Sequence, residues 1–405
     1  MPAARHENFD LRDLPDSFYA DPYPVYRLLR EKAPVLELPG GGYFISNYEH
    51  LMHVYRDARR FSSDKCTQFG PVFGQNSLLF EHHTTSLVFN DPPLHTNVRK
   101  AIGNALSNRM VVEMRLGVES LIDELLDDIA DRRQFDLIAD FASAIPIEII
   151  GNMLAVPRAE RGPLRRWSLA ILGSLEVGLD QPRLDEGNRC VSEFLDYLRE
   201  FVPRRRGAMT EADDDILIRL LRWESDGYRL TESELYHQCI FLLNAGHETT
   251  TNLVGNGVEL MMRFPDVLGQ LKQQPGLIDS AIEEVLRYES SNQLGNRTTT
   301  EDIEIDGVQI PADTVLTLCI GAANRDPAVF ENPDVFNIER NPNPHLAFGS
   351  GIHTCAGLNV ARLEGRIAIG KLIARFPSLE LTSAGQRAHR ARFRGFESLP
   401  MSTGE

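Results

Sequence analysis

What the sequence lacks narrows its function first. No run of 18 apolar residues occurs in the 405-residue chain, so no membrane-crossing helix is expected. The opening residues, 1–16, are polar and carry no apolar leader segment, which predicts a cytoplasmic protein without a membrane partner. Cysteine is scarce: Cys66, Cys190, Cys239, Cys319 and Cys355 are odd in number and widely spaced. That excludes a disulfide scaffold and fits a reducing compartment. There is no C-x-x-C pair for zinc and no C-x-x-C-H for covalently attached haem. Basic residues fall short of acidic ones, 42 against 58, giving a net charge of −16. A nucleic-acid partner is therefore not expected. Internal repeats, low-complexity tracts and long Pro/Gly/Ser linkers are missing as well. With ordinary charged and apolar fractions, residues 1–405 are expected to form one globular domain.

What is present is organised around Cys355. It lies in Phe348-Gly349-Ser350-Gly351-Ile352-His353-Thr354-Cys355-Ala356-Gly357, and the following Leu358-Asn359-Val360-Ala361-Arg362-Leu363-Glu364 turns into a helical pattern. Cys355 thus sits on a glycine-rich loop at the start of a helix, where unpaired N–H groups and the helix dipole favour the thiolate. A thiolate is a soft, electron-rich ligand suited to haem iron. The ordinary alternative is a small buried hydrophobe. The spacing matches neither phosphate-binding glycine loop. Glycines here let the backbone pass close under a flat ring and aim N–H groups at the sulfur.

The rest of the pattern is mainly helical with small sheets. A short helix is expected over 25–32, a strand over 43–46, and a helix capped by Asn47 to about residue 58. Residues 66–90 mix Gly, Pro, Phe, His and Thr without steady periodicity and read as a long loop. Asp91-Pro92-Pro93 restarts a helix with His95 and Arg99 on one face. Helices follow over 112–131 and 136–154, then a pair over 157–178 and 184–204. Arg204-Arg205-Arg206 reads as a solvated helix end. Thr231-Glu232-Ser233-Glu234 is a capping box. It opens a run of about 33 residues, roughly 50 Å as a helix. In its middle, Asn244-Ala245-Gly246-His247-Glu248-Thr249-Thr250-Thr251 is locally unfavourable for a helix. Such a stretch is either a distortion kept for function or a kink with hydroxyls bonding back to carbonyls. H-E-x-x-H is absent, since position 251 is Thr. Further on, Glu284 and Arg287 are i, i+3 on one helix, and residues 303–310 read as a hairpin turning at Asp306-Gly307.

The cysteine stretch resembles the ligand loop of the cytochrome P450 family, F-x-x-G-x-[HR]-x-C-x-G, at Phe348, Gly351, His353, Cys355 and Gly357. The other motifs follow in the family's order, so the resemblance covers essentially the whole chain. It implies the cytochrome P450 fold, with a long central I helix over haem, in a soluble, bacterial-type member and a monomer. The implied cofactor is haem b. Cys355 would be the metal ligand, and His95, Arg99, Arg297 and His353 would bind the propionates. Phe348, Gly349, Gly357, Ala245 and Gly246 would line the cofactor. The A-G-x-[DE]-T pattern makes Thr249 the alcohol beside bound dioxygen and Glu248 the proton relay. Glu284, Arg287 and Arg340 would form a structural triad. Motif positions put His83, Thr85, Leu242, Asn244, Gln293, Gly295 and Phe396 in the substrate chamber, with residues 66–90 as its roof. The implied activity is a monooxygenase acting on a small organic molecule by hydroxylation or O-demethylation. No flavin or iron–sulfur segment is fused, so electrons would come from a ferredoxin and an NAD(P)H-dependent ferredoxin reductase, with Lys100 and Arg362 as candidate contacts. The alternatives are a peroxygenase using hydrogen peroxide, or a haem sensor without turnover. An intact Glu248-Thr249 pair argues against both.

Overall fold

The computed structural model describes residues 9–225 and 227–404. The chain divides into two compact units. One comprises Met1–Ser62, Gly117–Ala144 and Thr249–Glu405; the other comprises Ser63–Leu116 and Ile145–Glu248.

The first unit holds every named strand of the described residues. Its largest sheet runs in the order Val35–Glu37, Tyr43–Ile45, Val315–Cys319, Leu294–Thr299, Phe61–Ser62. Tyr43–Ile45 pairs in parallel with Val315–Cys319, placing Tyr43 opposite Leu316 and Ile45 opposite Leu318. The other pairings in this sheet are antiparallel. Ile45, Leu316, Leu318 and Ile320 pack with Leu51 and Val54 of the helix Tyr48–Arg56, forming a core. Asn47 caps that helix, its Oδ1 accepting from the His50 N–H at 2.9 Å. The expected hairpin forms as Ile303–Ile305 and Val308–Ile310. Asp306 and Gly307 have φ of 54° and 75°, the left-handed conformation that a tight hairpin turn needs.

The second unit is helical apart from an isolated bridge between Ser225 and Tyr228. Residues 66–90 are not a long loop: they contain the helices Cys66–Phe73 and Leu78–Thr85 and a short 3₁₀ turn at Leu87–Phe89. The helical pattern was masked because Gly70 and Pro71 are poor helix formers, and because two of the buried positions of Leu78–Thr85 are His82 and His83. Ser77 nevertheless caps it, accepting from Phe80 N–H at 3.0 Å. Leu164–Gly173 and Gln181–Ala208 form the expected pair, with Trp167 stacked on Phe194 at 4.7 Å. The Arg204–Arg206 run is not merely solvated. Arg204 pairs with Glu160 at 2.7 Å, Arg205 with Asp215 at 2.6 Å and Arg206 with Glu232 at 3.5 Å.

One region departs from the expected helices. The predicted helix over 136–154 is instead the strand Gln134–Asp136, a π-helix Leu137–Ala142 and the helix Ala144–Met153. Asp136 interrupts it by accepting from the Ile138 and Ala139 N–H groups at 2.8 and 2.9 Å. The long helix runs Glu232–Arg263 without a break, and the unit boundary falls within it, after Glu248. Its capping box is complete: Thr231 Oγ1 accepts from Glu234 N–H at 3.2 Å, and Glu234 Oε2 accepts from Thr231 N–H at 2.7 Å.

Candidate active site

Cys355 lies three residues before the helix Leu358–Arg375 and is half-buried. The loop folds back on itself through the Cys355 N–H, which donates to Phe348 O at 2.9 Å. Gly349 and Gly351 both have positive φ, 65° and 71°. At Gly351 a Cβ would stand 2.1 Å from Tyr55 O, so only glycine fits that approach. From Ala347 to Leu358 every residue except the exposed Gly351 and Ile352 is half-buried. Phe348, Ala356 and Leu358 make this loop partly apolar.

The helix Ile278–Tyr288 supports the loop. Glu284 and Arg287 are fully buried, with the guanidinium donating to the carboxylate at 2.7 and 2.8 Å. Arg340 adds an Nε contact at 3.2 Å, and Asn337 N–H and Asn343 Nδ2 donate at 2.9 and 3.1 Å. The preceding residue, Glu283, accepts from Arg362 Nη2 at 2.6 Å and meets His345 Nε2 at 3.1 Å. Burial alone would raise the Glu283 carboxyl, but His345 and Arg362 hold it down at about 2. Glu283 thus ties the segment before the cysteine loop to the helix after it. Arg362, expected as a docking contact, is committed to this pair, with its guanidinium 4.9 Å from the Phe348 ring centroid.

In the long helix, Ala245 is exposed and Phe241, Gly246 and Thr249 are half-buried, while Leu242, Leu243, Asn244, His247 and Glu248 are buried. Phe241, Ala245 and Thr249 are spaced i, i+4, i+8, so one stripe of this helix is accessible. Glu248 is 6% exposed and adjoins that stripe. Gly246 has a packing role: a Cβ there would stand 2.6 Å from Ile150 Cδ1 of the helix Ala144–Met153.

The remaining expected positions fall as follows. His95 is buried and Arg99 half-buried, one turn apart on Leu94–Ala105. Arg297 lies on the strand Leu294–Thr299, half-buried, its guanidinium 5.3 Å from the Tyr55 ring centroid. His353 is half-buried in the cysteine loop. His83 is buried among Phe69, Phe73 and Phe89, with Nε2 at 3.0 Å from Ser174 Oγ. Thr85 is half-buried and its carbonyl accepts from Gln238 Nε2 at 2.8 Å. Leu242 and Asn244 are buried on the long helix. Gly295 is half-buried, close to Tyr55 Oη. Phe396 is buried, with the Arg387 guanidinium 3.7 Å from its ring centroid. Gln293 is buried: its Nε2 donates to Ser290 O at 2.7 Å, and its Oε1 occupies the space beside Gly321 that a side chain would need.

A family model described as Cytochrome P450 matches residues 270–392. The biotin biosynthesis cytochrome P450 of Bacillus subtilis is 34% identical over 396 residues, covering 95% of this chain and 97% of that protein. The chain belongs to the cytochrome P450 family. The 6-deoxyerythronolide B hydroxylase of Saccharopolyspora erythraea is 35% identical over 376 residues, covering 90% of this chain and 91% of that one. Among solved structures, P450BioI in complex with an acyl carrier protein ligated to hexadec-9Z-enoic acid matches with a TM-score of 0.89 at 33% identity, over 96% of this chain and 100% of that chain. The chain is therefore a cytochrome P450 monooxygenase, an oxidoreductase of a family that binds haem b. No helix of the described residues is long and apolar enough to cross a membrane.

The residues present fit that cofactor. A thiol on a half-buried, partly apolar loop suits a flat apolar ring ligated through sulfur. Sequence reasoning missed one feature, a set of buried imidazoles in the second unit: His82, His83, His237 and His247, none more than 2% exposed. His237 and Asn244 are seven residues apart on one helix face, which was the available signal.

Proposed function

We propose that this P450 inserts one oxygen atom from dioxygen into a small organic substrate, by hydroxylation or O-demethylation. Electrons come from separate proteins, a ferredoxin and its NAD(P)H-dependent reductase. The observation that carries the reading is the helix face that leaves Ala245 and Thr249 accessible beside a buried Glu248. When bound, the haem supplies dioxygen activation and oxygen-atom transfer. Cys355 Sγ would ligate its iron, and His95, Arg99, Arg297 and His353 would donate to its propionates. By the family's motifs, Phe348, Gly349, Gly357, Ala245 and Gly246 would line the cofactor. Thr249 Oγ1 orients a proton at its hydroxyl, and the Glu248 carboxylate moves protons toward it. Glu284, Arg287 and Arg340 keep the cysteine loop in place.

The relatives bear names as different as biotin biosynthesis cytochrome P450, 6-deoxyerythronolide B hydroxylase and polyketide biosynthesis cytochrome P450. The reading therefore stops at a small organic substrate, in a cytoplasmic enzyme that works as a single domain and a monomer. The test is product formed per NAD(P)H consumed, with peroxide assayed in parallel. Thr249→Ala should keep haem and ligand affinity but divert reducing equivalents to hydrogen peroxide. Glu248→Gln should instead slow turnover by roughly 10²–10⁴, the usual loss on removing acid–base assistance. Wild-type coupling and rate in both variants would overturn these roles. Product formation by the wild type from hydrogen peroxide alone, as efficient as with dioxygen and reductase, would favour a peroxygenase.

A further inference from the structure

The long helix is enclosed on every side but one. In the part that belongs to the second unit, from Leu235 to Glu248, only Phe241, Ala245 and Gly246 are accessible, and the other residues are buried. Of the residues three or four places from Phe241, His237, Gln238 and Asn244 are buried and Ala245 is exposed. The opening beside Phe241 is therefore the one beside Ala245, one turn or about 6 Å along the axis. It is not a separate patch of outer surface. In a helix, long side chains lean back toward the N-terminus, over the turn before their own Cα. The Phe241 ring thus leans away from Ala245 and over a closed turn, where His237 is 1% and Gln238 0% exposed. It stands across the N-terminal end of the opening. Ile240 and Leu243 are fully buried on either side of it, so the ring is carried on a firmly held element.

We propose that Phe241 is a specificity-determining residue that ends the substrate chamber: its ring sets how far a substrate extends along the helix beyond Ala245, and it accepts an apolar group there. This rests on the monooxygenase reading above and adds the length and polarity of the molecule's remote end.

The polarity follows from what lines this end. Between Ala245 and Phe241 the accessible stripe offers a methyl group and a phenyl ring, and no hydrogen-bonding side chain. The imidazoles behind the ring supply no charge. His237 precedes Phe241 by one turn, and the His82 ring lies 5.6 Å from that of His237, centroid to centroid. Burial lowers the pKa of His237, with Glu81 offsetting only part of it. Burial also holds His82 well below its ordinary value, and His83 and His237 add to this. A carboxylate reaching Phe241 would leave water without a cation to meet it. A hydrocarbon end gains from the same burial, about three- to fourfold in affinity for each methylene covered.

The test is ferric spectral titration of the haem-loaded enzyme with 1-alkylimidazoles, from 1-methylimidazole to 1-dodecylimidazole. The imidazole nitrogen ligates haem iron directly, so one end of each ligand is fixed and only its reach varies. In the wild type, affinity should rise about three- to fourfold per methylene and then break at the chain length that meets the ring. Phe241→Ala should move the break to chains longer by about two methylenes or more, and the milder Phe241→Leu to a length between. At pH 7.5, 1-hexylimidazole should bind the wild type at least about tenfold tighter than 6-(imidazol-1-yl)hexanoate. No break up to the dodecyl chain, or a break at the same length in all three proteins, overturns the end wall. Equal or tighter binding of the carboxylate overturns the apolar remote end. The reduced carbon-monoxide spectrum separates these outcomes from failure of the parent reading. If the wild type lacks the red-shifted band of thiolate-ligated haem, the haem-thiolate reading itself fails; if all three proteins show the band and the break does not move, only the role of Phe241 does.

Discussion

Glu284 and Asn244 are both buried polar side chains, and they are treated in opposite ways. The Glu284 carboxylate receives Arg287, Arg340, Asn343 and the Asn337 N–H. Arg287 spends its remaining donors on the carbonyls of Asn324, Pro333 and Val335. Both Glu284 oxygens and all three Arg287 guanidinium nitrogens are engaged. Asn244 has one long contact and a carbonyl oxygen with no partner. A saturated polar network fixes a loop in one place, whereas a network with atoms to spare can accept something else. The first belongs to the support of the cysteine loop.

The sharpest way to break the comparison is to remove a member of the saturated network. Glu284→Ala strands the Arg287 guanidinium in a fully buried site, which should cost about 3–5 kcal/mol. The expected outcome is little folded, haem-loaded protein, read by the reduced carbon-monoxide spectrum and a thermal melt. Asn244→Leu should keep both. If Glu284→Ala were as well folded as Asn244→Leu, the distinction between the two regions would be lost.

How much could be seen in advance follows the same divide between local and distant partners. The cysteine loop, the capping box at Thr231–Glu234 and the turn at Asp306–Gly307 are made by neighbours in sequence, and their chemistry was legible. The pairs of Arg204, Arg205 and Arg206 lie 44, 10 and 26 residues away, so the run looked solvated. The closeness of Gln293 to Gly321 was not legible either, because the two lie 28 residues apart in sequence. The helices within residues 66–90 were invisible because part of their buried face is histidine rather than leucine, and hydrophobic periodicity is silent about a polar core.

Glu364 sharpens the comparison from inside the first unit. It lies on the helix after the cysteine, 2% exposed, with Thr250 as its hydrogen-bond partner. Burial raises its carboxyl to about 8, against an ordinary 4.5, and Thr250 offsets only part of this. Between these values the folded state keeps a proton that the unfolded chain releases, so stability falls as pH rises. From pH 5.5 to 7.5 this one group removes about 3 kcal/mol. Glu364→Gln keeps the shape without the titration. Its melting temperature should gain on the wild type as pH rises over that range, and a constant gap would mean that Glu364 is ionised throughout.

The histidine cluster should show the opposite slope and a smaller effect. His83 is held at about 3, first by burial and then by His237, against an ordinary 6.5. It is neutral when folded, while the unfolded chain takes up a proton below pH 6.5. The stability it carries is therefore complete above pH 6.5 and is lost as pH falls toward 3. By pH 5 the loss is about 2 kcal/mol. His83→Phe places a ring of similar size among Phe69, Phe73 and Phe89, and Ser174 Oγ–H still donates to Ile171 O at 2.6 Å. At pH 7.5 the variant should lie within about 1 kcal/mol of wild type, the worth of the one hydrogen bond removed. At pH 5 it should be the more stable protein, with His82 and His237 accounting for acid sensitivity that persists. Melts at the two pH values check this. If the variant lost as much stability on acidification as the wild type, His83 would already be charged in the folded protein. The neutral character assigned to the cluster around Asn244 would then have to be given up.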